Sequence, residues 1–433
     1  MKEEFLHYLW RYSLYRGDLL TTKGEAVSVI KPGWPNSDSG PDFFNAMVKV
    51  GDTIWAGNIE IHVNSSEWFV HKHQNDPAYD NVILHVVFYC DMDVTRRDSS
   101  FIPTLELKER IDLTLYSYYT KLLLSMNWIP CENQIEMVDK VKVNLWLERI
   151  LIERFERKAA LLENSFSIAG NNLEELLYHR LAAGFGLKVN SDAFVMLARS
   201  LPLKIISRHY QNPQFLEALL FGQAGMLEKN FSEKFPNELK EIYIYFKNKY
   251  KLISVPEHNW KYLRMRPVNF PTIRISQFAA LLGKNNRSIQ LFTEAGDVNQ
   301  WRELLSVKCS KYWEEHYLFD KLSARSEKRL GHEGLNSIII NELIPYRFFT
   351  ARRFGMVQEA EDVLQLLHEL DFETNSITKN WVNLKLSAGS AYESQSLIEL
   401  KHNYCDMKKC LDCSIGHNLL REQPALNVIG QFP

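Results

Sequence analysis

At 433 residues the chain exceeds what one ordinary hydrophobic core organises, so two to three domains of roughly 100–200 residues each are expected. Hydrophobic residues make up 45% and charged residues 24%, enough apolar surface to offset chain entropy, which excludes a disordered protein. A net charge of −2 gives no overall attraction to nucleic acid, so any such partner would need a local basic channel.

Met1 to Leu19 carries Lys2, Glu3, Glu4 and Arg11 among its apolar residues, unlike the unbroken apolar stretch of a secretion signal. No later window approaches the roughly 20 apolar residues that span a bilayer. A soluble, cytoplasmic protein without membrane contact is expected. Six cysteines are too few for a disulfide scaffold and suit thiols in a reducing compartment.

In chain order, Phe5 to Leu19 is predicted as a helix. The turn-rich segment Lys31 to Gly40 follows, then two apolar runs, Phe43 to Val50 and Thr53 to Val63, joined by Gly51-Asp52 as an antiparallel hairpin. Asn64-Ser65-Ser66 caps a predicted helix reaching about Asp76, and strands are predicted at Asn81 to Tyr89 and Phe101 to Lys108. From about residue 111 the apolar spacing becomes helical, as in Val143 to Leu162. The expected architecture is α+β, with a mixed sheet flanked by helices in residues 1–110 and a large all-α region in 111–433. Loop signals at 255–270 mark a candidate internal boundary.

Side-chain alternation puts Asn58, Glu60 and His62 on one face of the second hairpin strand and Ile59, Ile61 and Val63 on the other. Asp42, in Gly40-Pro41-Asp42-Phe43, opens the partner strand. Carboxylates at Asp42 and Glu60 are the donors a hard cation such as Mg²⁺ or Mn²⁺ requires, and a bound cation polarises a phosphodiester and activates water. Register opposes this, because a strict two-residue turn pairs Asp42 with Ile61, on the face away from Glu60; a longer loop or a bulge, with Gly57 as one site, would restore convergence. Without it, Glu60 and His62 line a solvated strand face. His71 and His73, two apart, diverge by about 200° on a helix and share a site only if the chain there is a loop. His85, in an apolar run, reads as a core histidine able to orient the site from behind. Glu106 and Lys108 form a reserve pair on one strand.

Near the end, Cys405, Cys410 and Cys413 are spaced to converge on zinc, with His402 or His417 as a fourth ligand. Cys131 would be the alternative fourth ligand, and an iron–sulfur cluster then becomes an option. Arg264, Arg266 and Arg274 near Trp260, Tyr262 and Phe270, and Arg347, Arg352 and Arg353 near Tyr346 and Phe348, read either as single-strand contacts or as ordinary helix connections.

Pro41-Asp42 followed by Glu60-Ile61-His62, in the order helix, two hairpin strands, helix, strand, resembles the PD-(D/E)XK nuclease superfamily, whose core is restriction-endonuclease-like. The resemblance implies a metal-dependent nuclease in which Asp42 and Glu60 hold the ion and His62 stands where lysine is usual. It also implies that Lys72 could supply a displaced ammonium group, and some nucleases of this kind carry an iron–sulfur cluster with different cysteine spacing. Ser39 to Phe43, Gly57 to His62, Ala78 to Val87 and the terminal cysteines together resemble a bacterial family of unknown function, mainly from Bacteroidetes, which brings no reaction with it. A non-catalytic scaffold with a nuclease-like fold and a small-molecule metallohydrolase built on His62, His71 or His73 are the competing expectations.

Overall fold

The computed structural model describes residues 1–36, 38–284, 288–386 and 389–422. It divides the chain into Met1–Val143 together with the segment from Lys401 onward, and Asn144–Leu400. The first unit holds the sheet and the second is almost wholly helical.

In the first unit, helix α1 (Glu3–Arg11) precedes strands β1 (Leu19–Leu20), β2 (Ala26–Lys31), β3 (Trp34–Pro35), β4 (Phe43–Val50) and β5 (Thr53–Asn64). After the short helix α2 (Glu67–Val70) come β6 (Val82–Tyr89), β7 (Thr104–Glu106) and helix α3 (Leu113–Leu124). Strand order is β1-β2-β4-β5-β6-β7, with β3 paired to the start of β4. The β2, β4 and β5 strands run antiparallel in turn, whereas β6 and β7 join in parallel after a crossover. Thr21 bridges Leu105, and the Thr22 amide donates to the Thr104 carbonyl, so the far edge of the sheet folds back on its beginning and the sheet is nearly barrel-shaped. That return gives Leu105 of β7 a partner on each side, and β7 ends at Glu106, so Lys108 lies outside the strand expected to reach it.

The hairpin matches the sequence expectation, and the flanking helices are shorter than expected. α1 stops at Arg11, and Ser13 adopts a left-handed φ of 51°, which frees Leu19–Leu20 to pair as a strand. Phe5, Leu6 and Leu9 of α1 join Phe43, Ile59, Ile61, Val86 and Leu105 in one core. Ile59 and Ile61 thus bury one face of β5 and leave Glu60 and His62 on the other. No described helix is long and apolar enough to cross a membrane.

In the second unit the helices close around Phe185, Phe194, Phe278, Trp301 and Trp313. The 255–270 segment lies inside this unit and forms two short turns, Glu257–Asn259 and Pro267–Asn269. Three of the arginines, Arg274, Arg347 and Arg353, serve the scaffold, whereas Arg264 and Arg266 are exposed. Arg274 is buried and donates to Gln277 and Asn269, Arg347 donates to the Ala295 carbonyl over the Trp301 ring, and Arg353 pairs with Glu163.

Glu217 is the costliest group in this core. One carboxylate oxygen accepts from Ser276 (2.6 Å), Ser310 (3.1 Å) and the Trp313 indole (3.1 Å). Burial nevertheless wins over these bonds and pushes its pKa from 4.5 up to about 7. Because the folded value lies above the unfolded one, stability falls as pH rises from about 4.5 to about 7, by about 3 kcal/mol in total. Glu217→Gln keeps the accepting oxygen and removes the charge. Denaturant unfolding of this variant should show a flatter pH profile and higher stability than the parent at pH 8; an unchanged profile would mean that Glu217 is not the buried titrating group.

Candidate metal centre

The turn between β4 and β5 is the two-residue Gly51-Asp52, with Val50 opposite Thr53. Continued unbroken, that register would send Asp42 to the wrong face. It holds only as far as Ala46 opposite Gly57; beyond that point Phe43 faces Ile59, so Phe44 and Asn45 together oppose Asn58. The extra residue is in β4, where Asn45 takes φ 56°, a conformation asparagine tolerates better than most residues. Burial records the same slip, passing from Phe43 directly to Ala46 and then alternating through Val48 and Val50. The bulge is therefore at Asn45 and not at Gly57.

Gly57 serves a different need. A Cβ there would lie 2.4 Å from Ile83 Cγ2 and 2.6 Å from the Asn81 carbonyl, so only glycine lets the start of β6 approach. A second slip, in β6 at Ile83, sets Glu60 beside His85.

With the bulge in place Asp42 meets Glu60. The Asp42 amide donates to Glu60 Oε2 (3.2 Å), and the Ile61 amide donates to Asp42 Oδ2 (2.8 Å). Glu60 Oε1 lies 3.2 Å from His73 Nε2 and 3.5 Å from His62 Nε2. His62 Nδ1 is 2.8 Å from His85 Nε2, and its Nε2 is 3.1 Å from His71 Nδ1. His62, His71 and His73 each offer a ring nitrogen within 4.8 Å of the others, a possible metal site.

The convergence of His71 and His73 comes from the failure of the expected helix. α2 ends at Val70, His71 is its C-cap, and Lys72 turns left-handed at φ 64°, so His73 begins a new short turn, His73–Asn75. The two rings end 5.4 Å apart, centre to centre. Tyr79 stacks on His73 at 3.8 Å, and Trp68 packs edge-on against His73 and tilted against His85, so aromatic packing holds these two rings in place.

Electrostatics follow from burial. His62 is driven down to about 3 by burial first, then by His73, His71 and His7, and His85 and His73 are lowered chiefly by burial. These rings are neutral near pH 7, the form that ligates metal. Glu60 is pushed up to about 9 by burial and then by the Asp42 charge, against the pull of the Asp42 amide.

Sequence reasoning missed His7. In α1 it sits one turn after Glu3, its Nε2 3.3 Å from Asp42 Oδ2 and 3.8 Å from Glu3 Oε1. Its pKa is raised: burial opposes the shift, and Asp42, Glu3 and Glu60 together outweigh burial. The Glu3–His7 spacing at i and i+4 was the available signal. Glu106 stays apart from this cluster and accepts from the Cys90 amide (2.8 Å), and Lys108 lies over Tyr89.

The cysteines do not form the expected site. Cys405, Cys410 and Cys413 are unbridged, and among the described residues no three sulfurs lie within 4.8 Å of one another. Cys410 is committed to the core of its unit, with its carbonyl against Gly416, and Cys405 closes the turn Lys401–Cys405. His402 faces Asp406 and His417 meets the Tyr8 hydroxyl (3.0 Å), so neither completes a thiolate set. Cys131, Cys405 and Cys410 are all shifted up, first by burial and then by neighbouring thiols, Cys413 among them.

The chain belongs to DUF2851, a family described as protein of unknown function, which matches residues 3–376. No curated protein and no solved structure matches it.

Lys72 is exposed, and among the described residues no contact joins its ammonium to Asp42 or Glu60. Its contribution is the left-handed turn that aims the two histidines. Lys72→Gly should therefore leave metal affinity intact and raise stability by up to about 1 kcal/mol, read by calorimetric metal titration and thermal unfolding. A lost affinity would restore a role for the amine.

Proposed function

Within this family of unknown function, we propose that the first unit is a metal-dependent hydrolase of phosphodiester bonds in nucleic acid, with the ion held by His62, His71 and His73 beside Glu60. The observation that carries this reading is the Asn45 bulge, which sets Asp42 against Glu60, whose Oε1 lies against His73 and His62 of the three-histidine group. The order α1, antiparallel β4–β5, α2, parallel β6 supports it, since it follows the nuclease pattern expected from the sequence. A bound cation would polarise the phosphoryl group and lower the pKa of an attacking water. Because His62 replaces the usual lysine and stays neutral, it adds no positive charge, and charge compensation at the phosphate falls to metal. Nitrogen donors favour Mn²⁺, Zn²⁺ or Fe²⁺ over Mg²⁺.

His85 is a positioning residue. It engages His62 Nδ1 and thereby leaves Nε2 for the ion. His85→Ala should weaken metal binding by about 10–100-fold without removing a ligand. Cleavage of single- and double-stranded DNA and RNA, and of bis(p-nitrophenyl) phosphate, should appear with Mn²⁺ or Zn²⁺ and fall to background in Glu60→Gln and His62→Ala. Retained cleavage in both variants would refute the assignment. Metal binding with no hydrolysis of any phosphodiester would favour the scaffold reading, and the imidazole-rich donor set keeps a small-molecule metallohydrolase as the second reading.

Proton linkage gives an independent check. A divalent cation displaces the proton that burial keeps on Glu60, while His62 has none to lose at neutral pH. Binding at pH 7 should release about one proton per chain, seen as a dependence of the calorimetric heat on buffer ionisation enthalpy. Glu60→Gln should abolish that release.

A further inference from the structure

The two oxygens of Glu60 face different groups. Oε1 is turned to His73 and His62, at 3.2 and 3.5 Å, while Oε2 is turned to the Asp42 backbone, at 3.2 Å from its amide. Beyond Oε1 lies the imidazole lobe of His62, His71 and His73. Near Asp42 lies a second lobe made by Asp42, His7 and Glu3, which the three-histidine site leaves unused.

Each lobe contains a buried imidazole nitrogen whose neighbour is a carboxylate. His73 Nε2 and His7 Nε2 are both shielded from solvent, and neither has a well-aligned acceptor. Yet each lies against a carboxylate oxygen, His73 against Glu60 at 3.2 Å and His7 against Asp42 at 3.3 Å. A nitrogen and an oxygen held this close without hydrogen-bond alignment are what two ligands of one cation look like.

Charge points the same way. Glu3, Asp42 and Glu60 bring three carboxyl groups into one cluster, where the histidine lobe has none. One dication among the histidines leaves Asp42 and Glu3 beside His7 without an ion of their own. A dication in each lobe, with one carboxylate between them, offsets all three carboxylates and leaves about one positive charge for an anionic substrate. The Asp42 side is also open, because His7, Asp42 and Phe43 line a cavity of about 630 Å³ together with Arg11, Tyr12 and Lys409.

We propose that the centre is dinuclear, with Glu60 bridging one ion held by His62, His71 and His73 and a second held by Asp42 and His7, with Glu3 near it. This rests on the metal-dependent reading above and extends it. The second ion would face the cavity, and a pair of ions clamping one phosphoryl group supplies the compensation that the missing lysine does not.

The test uses the full chain stripped with a chelator and dialysed against graded MnCl₂, with bound manganese measured by elemental analysis and by electron paramagnetic resonance. About two ions per chain are expected, with the multiline spectrum of an exchange-coupled pair. His7→Gln and Asp42→Asn should each reduce binding to about one ion with a simple six-line spectrum, and His71→Ala should do the same from the other lobe. Circular dichroism checks that each variant is folded, and two variants in the second lobe protect against the misfolding of one. A single ion in the parent chain, or two ions in both His7→Gln and Asp42→Asn, would overturn the dinuclear centre. A single ion with metal-dependent cleavage intact would overturn it alone, whereas no bound ion would overturn the hydrolase reading as well.

Discussion

The contact between Asp42 and Glu60 depends on one residue of backbone. A tight turn at Gly51-Asp52 fixes the β4–β5 register, and that register alone would place Asp42 on the apolar face among Ile59 and Ile61. Inserting Asn45 as a left-handed bulge reverses the alternation over three residues. The hairpin thereby keeps Val48 and Val50 in the core at one end and Asp42 beside Glu60 at the other. Moving the bulge would cost either the core or the site. Strand register thus decides here whether Asp42 and Glu60 meet.

The surroundings of Glu60 are consistent with a group placed for a ligand and not for stability. A carboxylate that burial and Asp42 push up to about 9 receives one backbone amide and otherwise faces imidazole nitrogens. Glu217 in the second unit shows the structural alternative, with three donors satisfying one oxygen. Both carboxyls are buried, and the difference between them is what fills the space around the charge. At Glu217 the protein fills it. At Glu60 one backbone amide donates to Oε2, and Oε1 is left facing the His73 and His62 rings.

Much of this unit was legible from local pattern. The hairpin bounds and the polar face with Glu60 and His62 follow from period-two alternation and turn chemistry, and the strand carrying His85 from its unbroken apolar run. What was not legible depended on breaks in pattern. A left-handed Lys72 is invisible to propensity, and it converts two diverging histidines into neighbours. Asn45 carries no signal that separates a bulge from an ordinary strand residue. His7 comes from a helix distant in sequence, placed by packing of Phe5, Leu6 and Leu9 that no local rule contains. The terminal cysteines erred in the opposite direction, because short spacing suggested a closed thiolate set while Cys410 became core.

These breaks cluster around the candidate centre. Asn45, the slip at Ile83 and Lys72 are three departures from regular backbone, and each one positions a residue of that centre: Asp42, His85, and the pair His71 and His73. A sheet built only for stability has no reason to gather its irregularities around one carboxylate. Each departure costs conformational energy that regular pairing would have avoided, and the aromatic packing of Trp68 and Tyr79 against the histidines offsets part of that cost. The strain and the packing converge on Glu60 from both neighbouring strands, so the function of this unit is best sought at that residue.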